Sequence, residues 1–294
     1  MKRTHNENTV GPWALQKLDA LQRYLEAYML IMKNQRFRLV YVDAFAGSGI
    51  SRLRRAEDHY ILPLFDEEDK EDQQQFITGS PVRALQINRP FDHYLFVEMD
   101  PQRVEQLSAL KLDFKDQKIL VMQGDGNEKV QHIANRFAAP DLRGVAFLDP
   151  YGAHLHWNTL DALAKTRKFD VIVNFPLAMA INRLVKNDGE IPANWCEQLD
   201  ACFGCADWRE AAFEDTKGLF GEERRKRADA SERLLVLYRS RLKDIFGHVS
   251  RASLVRNTRG TPLYYLIWAG TNPRGLKPAD HILRMGEMGL GRRT

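Results

Sequence analysis

A chain of 294 residues with 44% hydrophobic composition can bury a core of its own, which excludes a disordered tail or a disulfide-dependent miniprotein. Three cysteines, a polar N-terminus (MKRTHNENTV) and apolar runs all shorter than a membrane span argue against a secreted scaffold or a membrane protein, so a soluble chain in the reducing cytoplasm is expected. The net charge of +4 is unevenly placed: Glu222 to Thr294 holds 16 Lys and Arg against 7 Asp and Glu, a local +9, and the remainder carries −5. Such a segment suits a polyanion, or is a solvated surface.

Residues 12–33 open with Pro12, a good first helical residue, and space Leu15, Leu18, Leu21, Leu25, Met29 and Met32 by three and four, which predicts an amphipathic helix. Phe37 to Asp43 then reads as a buried strand, and Ala44 to Gly49 as the turn after it. The charged stretch 51–75 is expected to be an exposed excursion. Gly79-Ser80-Pro81 opens a helix, and Tyr94–Glu98, Ile119–Met122, Gly144–Asp149 and Asp170–Asn174 follow as four more strands with helical segments between. That alternation implies a mostly parallel sheet with helices on both faces. Residues 177–245 break it and read as almost entirely helical. Ser253–Arg256 and Leu263–Ala269 suit an antiparallel hairpin.

The expected architecture is therefore α/β: a Rossmann-like, mostly parallel seven-stranded sheet with a C-terminal antiparallel hairpin and a helical insertion. Residues 1–176 form the core in this reading and 177–245 an insertion or cap. Residues 246–294 complete the sheet and end in a basic tail.

In an open parallel sheet, ligands bind beyond the carboxyl ends of the strands, where the strand order reverses. Asp43, Glu98, Asp125, Asp149 and Asn174 each fall at such an end. A dinucleotide fold needs G-x-G-x-x-G in the first turn, so that amides approach a pyrophosphate. Here Asp43 precedes the short pair Gly47 and Gly49. A carboxylate repels a pyrophosphate but attracts the ammonium of an amino-acid moiety. S-adenosylmethionine carries that moiety and no phosphate, so it is the expected cofactor, and a nicotinamide enzyme is disfavoured. Glu98 is placed to accept the ribose hydroxyls, and Asp125 the adenine amino group.

Asp149-Pro150-Tyr151 ends the fourth strand of the alternation, beside the expected methyl donor. An exocyclic amine on a base is a poor nucleophile because its lone pair is delocalised. A carboxylate and the following carbonyl can hold its two hydrogens and aim that lone pair, while an aromatic ring stacks on the base. Asp149, the Pro150 carbonyl and Tyr151 are the candidate catalytic residues; the bland alternative is an Asp-Pro turn. Cys196, Cys202 and Cys205 lie within ten residues. They read as a zinc site with a distant His, or as incidental cysteines among Trp195, Phe203 and Trp208. No metal is assigned. The run Glu222–Arg227 reads as a phosphate contact or as a solvated helix face.

These motifs together resemble the three-Cys-motif partner protein family, a methyltransferase-like group. The resemblance runs through Gly11-Pro12-Trp13, the DAFAGSG turn from Asp43 to Gly49, Gly79-Ser80-Pro81, Glu98, Gly124-Asp125-Gly126, Asp149 to Gly152, Asn174-Phe175-Pro176 and Leu263 to Leu266. It implies a class I methyltransferase fold and a cofactor set of Asp43, Phe45, Gly47, Gly49, Ser80, Pro81, Glu98, Asp125 and Gly126. A more distant similarity is to an N6-adenine methyltransferase of large-subunit ribosomal RNA, which has the same motif order but Asp-Pro-Pro-aromatic where this chain has Asp149-Pro150-Tyr151. The expected activity is S-adenosylmethionine-dependent N-methylation of a nucleic-acid base, with the nucleic acid meeting the basic C-terminal segment. The alternative is a non-catalytic partner protein of the same fold, acting in a phage- or mobile-element-related complex.

Overall fold

The computed structural model describes residues 9–10, 13–53, 76–136, 139–218, 221–257 and 259–288. Strand β1 (Thr9–Val10) and helix α1 (Trp13–Met32) precede β2 (Arg38–Asp43). Strands β3 (Ile50–Leu53) and β4 (Phe76–Thr78) pair with each other and lead to α2 (Ser80–Leu85). The bulk of the 51–75 excursion lies outside the described residues. The alternation then runs β5 (His93–Glu98), α3 (Pro101–Asp113), β6 (Ile119–Gln123), α4 (Gly126–Arg136), β7 (Leu142–Leu148), α5 (Trp157–Thr166) and β8 (Phe169–Phe175). A π-helical turn (Leu177–Ile181) is followed by α6 (Asn182–Leu184), α7 (Ala193–Phe203), α8 (Trp208–Ala212), β9 (Phe213–Gly218), β10 (Gly221–Lys226) and α9 (Ala230–Phe246). The chain continues through β11 (His248–Val249), β12 (Ser253–Arg256), β13 (Pro262–Gly270) and α10 (Pro273–Met288).

The main sheet runs β11-β13-β8-β7-β2-β5-β6, with β12 also on β13. Strands β2, β5, β6, β7 and β8 are parallel, and β13 is antiparallel to β8. Eight strands fill seven positions, because β11 pairs with the end of β13 and β12 with its beginning along one edge. This is a Rossmann-like, mostly parallel sheet closed by an antiparallel hairpin. The order reverses between β2 and β7, the place where such sheets bind ligands.

Strand alternation divides the core. Val40, Val42, Ala146, Leu148, Val171 and Val173 face α4, α5 and α9. Tyr41, Val145, Phe147, Ile172, Leu266 and Trp268 face α1, α2, α3 and α10. Each fully buried large side chain of this kind contributes roughly 1.5–3 kcal/mol.

One expectation needs correction. Residues 177–245 are not almost entirely helical: Phe213–Lys226 forms the β9–β10 hairpin, so the basic run lies on a strand rather than a helix face. Its Glu214-Asp215-Thr216 and Glu222–Arg225 lack a helical apolar stripe, and cross-strand pairing satisfies their backbone. The basic C-terminal segment contains α10, which buries Ala279, Ile282 and Leu283 against the α1 side of the core. Pro273 opens it, where a missing N–H costs nothing, and Asn272 caps its first turn by accepting the Arg274 N–H at 3.0 Å. Among the described residues no helix is long and apolar enough to cross a membrane.

Candidate functional site

The period-two alternation that sorts the core also gathers the site. Tyr41 faces α1, so Asp43 two residues on faces the same way; Val145 and Phe147 carry Asp149 to that face, and Ile172 carries Asn174. The strands β2, β7 and β8 are neighbours, and parallel register puts Leu148 beside Val173, so Asp149 and Asn174 emerge side by side. Tyr264, on the antiparallel β13, follows the same face just beyond Leu266, which pairs with Asn174.

Asp43 is completely buried. Its Oδ2 accepts the Tyr41 hydroxyl at 3.3 Å, while its Oδ1 has no hydrogen-bond partner among the described residues. Burial pushes the Asp43 carboxyl up to about 7, against the Ser80 hydroxyl and with help from the Asp149 charge. Ser80 is itself buried, at the start of α2 with Pro81 in the first turn.

Glu98 clamps the first turn. Its Oε2 accepts the Gly47 N–H at 2.9 Å, and its Oε1 accepts the N–H groups of Met99 and Asp100, both at 2.9 Å. The Ala46 N–H also bonds the Val97 carbonyl at 2.9 Å, and the Gly79 N–H the Gly49 carbonyl at 2.7 Å. The glycine turn is thus tied to β5 and to the Gly79-Ser80-Pro81 corner before any ligand is considered. Asp125, two residues past β6, accepts the Asn127 and Glu128 N–H groups at 2.8 and 3.1 Å and starts α4.

Gly126 closes the cradle. A Cβ there would lie 2.3 Å from the Ala44 carbonyl and 2.8 Å from the Phe45 ring, so the first and third turns approach through the missing side chain. Gly126→Ala is expected to destabilise the chain by about 1–3 kcal/mol through forced backbone movement. Urea unfolding of the two proteins measures this, and an unchanged midpoint would mean that the turns separate freely.

Asp149 is the centre of the constellation. Its Oδ1 accepts the Asn174 side-chain N–H at 2.5 Å, and its Oδ2 is paired with the Lys17 ammonium. Both partners are mostly buried, with side-chain exposures of 13% for Lys17 and 21% for Asp149. Burial pulls the Lys17 ammonium down, but Asp149, Tyr264 and Asp43 together leave it raised above the ordinary lysine value. The ammonium also stands 5.3 Å from the centre of the Tyr264 ring. The Asn174 Oδ1 is buried and, among the described residues, unpartnered.

Lys17 did not figure among the sequence candidates. The signal was present: it lies four residues before Leu21 and seven before Tyr24, a charged residue on the buried face of α1. Pro150 is buried, and Tyr151 is 91% exposed, a ring held out at the mouth of the site.

Other candidates lie apart. Cys202 belongs to the apolar core on the α9 side, where burial pushes its thiol up to about 12, and Cys196 Sγ faces the Ile191 carbonyl at 3.8 Å. Among the described residues no three His, Cys, Asp or Glu side chains converge as a metal set. In the basic run, Arg225 pairs with Glu223 at 2.8 Å and Arg227 with Glu214 at 3.0 Å. Lys226 donates to the Val185 carbonyl at 2.9 Å. Much of that charge is engaged within the chain.

No family model matches the chain, and no curated protein matches it. Among solved structures it is similar to protein LPL1258 from Legionella pneumophila, at 19% identity over 91% of this chain and 99% of that one, with a TM-score of 0.44. It is also similar to the putative methyltransferase YhhF from Escherichia coli, at 12% identity over 85% and 87% of the two chains, with a TM-score of 0.36. A third similarity is to the putative methylase HI0767 from Haemophilus influenzae, at 14% identity over 69% and 85%, with a TM-score of 0.29.

Proposed function

We propose that this chain is an S-adenosylmethionine-dependent methyltransferase of the three-Cys-motif partner type, acting on an exocyclic amino group of a nucleic-acid base. The observation that carries the reading is the unpartnered, buried Asp43 Oδ1 at the switch point, one strand away from Asp149. A buried acceptor without a donor is costly, and a ligand ammonium would satisfy it. Bound there, the cofactor supplies an activated methyl group on a sulfonium.

The chain's own residues do the remaining work. Asp43 binds the amino group, with Gly47 and Gly49 giving backbone access and Ser80 and Pro81 shaping the wall. Glu98 and Asp125 each keep acceptor capacity beyond their backbone bonds, for ribose and adenine respectively. Phe45 and Gly126 form the floor where the two turns meet. Asp149 and the Pro150 carbonyl accept the hydrogens of the incoming amine and hold its lone pair on line, and the Asn174 Oδ1 offers a further acceptor. The exposed Tyr151 ring stacks on the base. Residues 1–176 with 246–294 act as the catalytic core, and 177–245 as an accessory lobe.

A non-catalytic partner role draws on one observation, that both Asp149 oxygens already have donors in Lys17 and Asn174. Calorimetry with S-adenosylhomocysteine and NAD, followed by tritiated methyl transfer to total cellular RNA and DNA, separates the readings. Binding with transfer supports the enzyme, and binding without transfer supports the partner. Tighter NAD binding ends both.

The nucleic-acid part has its own test. If the +9 segment from Glu222 onward contacts phosphates, affinity for RNA or DNA should fall steeply between 50 and 200 mM salt, by on the order of tenfold or more for a few contacts. A flat response, or no gel shift with either polymer, would point to a protein or small-molecule acceptor.

A further inference from the structure

We infer that Lys17 exchanges partners: it holds Asp149 in this structure, and on cofactor binding it turns to the cofactor's carboxylate and frees Asp149 for the methyl acceptor. The inference rests on the cofactor reading above and adds a positioning residue, an order of binding and a reason for both.

The carboxyl end of the sheet gathers Asp43, Glu98, Asp125 and Asp149. This acidic rim suits the ammonium of an amino-acid moiety and opposes its carboxylate. A carboxylate brought there needs a cation nearby. Lys17 is a cation that the structure sets against these acids, paired with Asp149 and within electrostatic reach of Asp43. The end of α1 places it over the same face of the sheet from which Asp43, Asp149 and Asn174 emerge.

The pairing also has a consequence for Asp149. One oxygen is held by Asn174 and the other by Lys17, so an incoming amine competes with a buried ion pair for the acceptor it needs. An ammonium on a four-carbon stem can swing between two carboxylates while its helix stays still, which a forked guanidinium does less readily. Departure of Lys17 leaves Asp149 held by Asn174 alone, oriented and with one oxygen open. The amine then finds its acceptor only after the methyl donor is in place. Binding is ordered, cofactor first.

The test is calorimetry with two probes, S-adenosylhomocysteine and 5′-methylthioadenosine, which shares the nucleoside and thioether but lacks the amino-acid group. Lys17→Met should weaken S-adenosylhomocysteine by about ten- to a hundredfold, the range for a charge-assisted hydrogen bond, and leave methylthioadenosine little changed. Retained methylthioadenosine binding also shows that the variant is folded. Asp149→Asn releases Lys17 from its pair, so it should tighten S-adenosylhomocysteine several-fold, and only while Lys17 is present.

Equal binding of both probes to wild type and Lys17→Met overturns the exchange and leaves the cofactor reading standing. Loss of both probes in Lys17→Met and in the neutral Lys17→Gln makes Lys17 a tie of the fold and likewise overturns it. Asp149→Asn without tightening removes the competition on which the exchange depends. If wild type binds neither probe, the cofactor reading itself fails.

Discussion

Asp149→Ala should lose methyl transfer by about a hundredfold or more while binding S-adenosylhomocysteine at least as tightly as the wild-type chain. The carboxylate acts on the acceptor amine as its lone pair localises, so its contribution grows toward the transition state rather than in the cofactor complex. The same substitution strands the Lys17 ammonium, which is 13% exposed, and removing one member of a mostly buried pair typically costs about 3–5 kcal/mol. Urea unfolding should therefore show a large drop for Asp149→Ala, much of it recovered when Lys17→Met is made in the same chain. Activity should stay lost in the double variant. Restored stability with absent turnover assigns Asp149 to the chemistry as well as to the fold. Full activity of Asp149→Ala on an identified acceptor would move the catalytic centre elsewhere, with Asn174 the next residue to test.

The second large effect is on pH. Burial holds the carboxyls of Asp43 and Asp170 at about 7 in the folded chain, against an ordinary aspartate value of 3.8. Asp170 lies at the opposite end of β8, where the Tyr24 hydroxyl bonds it at 2.8 Å and the Trp268 indole bonds that hydroxyl in turn at 2.6 Å. Between pH 4 and 7 the folded state holds protons on these groups that the unfolded state has released. Stability is then lost as pH rises across that window, by on the order of a few kcal/mol per group, and the loss is complete above it. Asp170→Asn should flatten its share of this slope in urea unfolding followed from pH 5 to 8.

Cofactor affinity should run the other way. An ammonium beside Asp43 needs the ionised carboxylate, so S-adenosylhomocysteine should bind up to about tenfold more weakly for each pH unit below 7. Binding at pH 6 should release a proton, read as a calorimetric enthalpy that changes with the buffer. The groups facing Asp43 are Ser80, Asp149, the Phe45 N–H, Tyr41 and Lys17, and of these Asp149 raises its carboxyl while Ser80, the Phe45 N–H and Tyr41 lower it. A flat affinity profile in Asp43→Asn, with the slope intact in wild type, assigns the titration to this residue. A flat wild-type profile would place the amino group away from Asp43.

Local physics made much of this protein legible in its sequence. Residue alternation along Tyr41-Val42-Asp43 and Phe147-Leu148-Asp149 specifies a strand, a face and a carboxylate at its end, because side chains two apart share a face. The glycine turn at Gly47 and Gly49 and the β–α alternation specify a parallel sheet by the same local rules. The β9–β10 hairpin and α10 escaped because their signals conflict: a charged run suits a helix surface as well as a strand, and Pro278 opposes a helix that packing against α1 stabilises. Lys17 shows where sequence stops. Its place on the buried stripe of α1 could be read, but its partner lies 132 residues away. Only the packing of α1 across the ends of β2, β7 and β8 decides that the ammonium meets Asp149, because a long-range ion pair is fixed by how layers stack and not by any spacing along the chain.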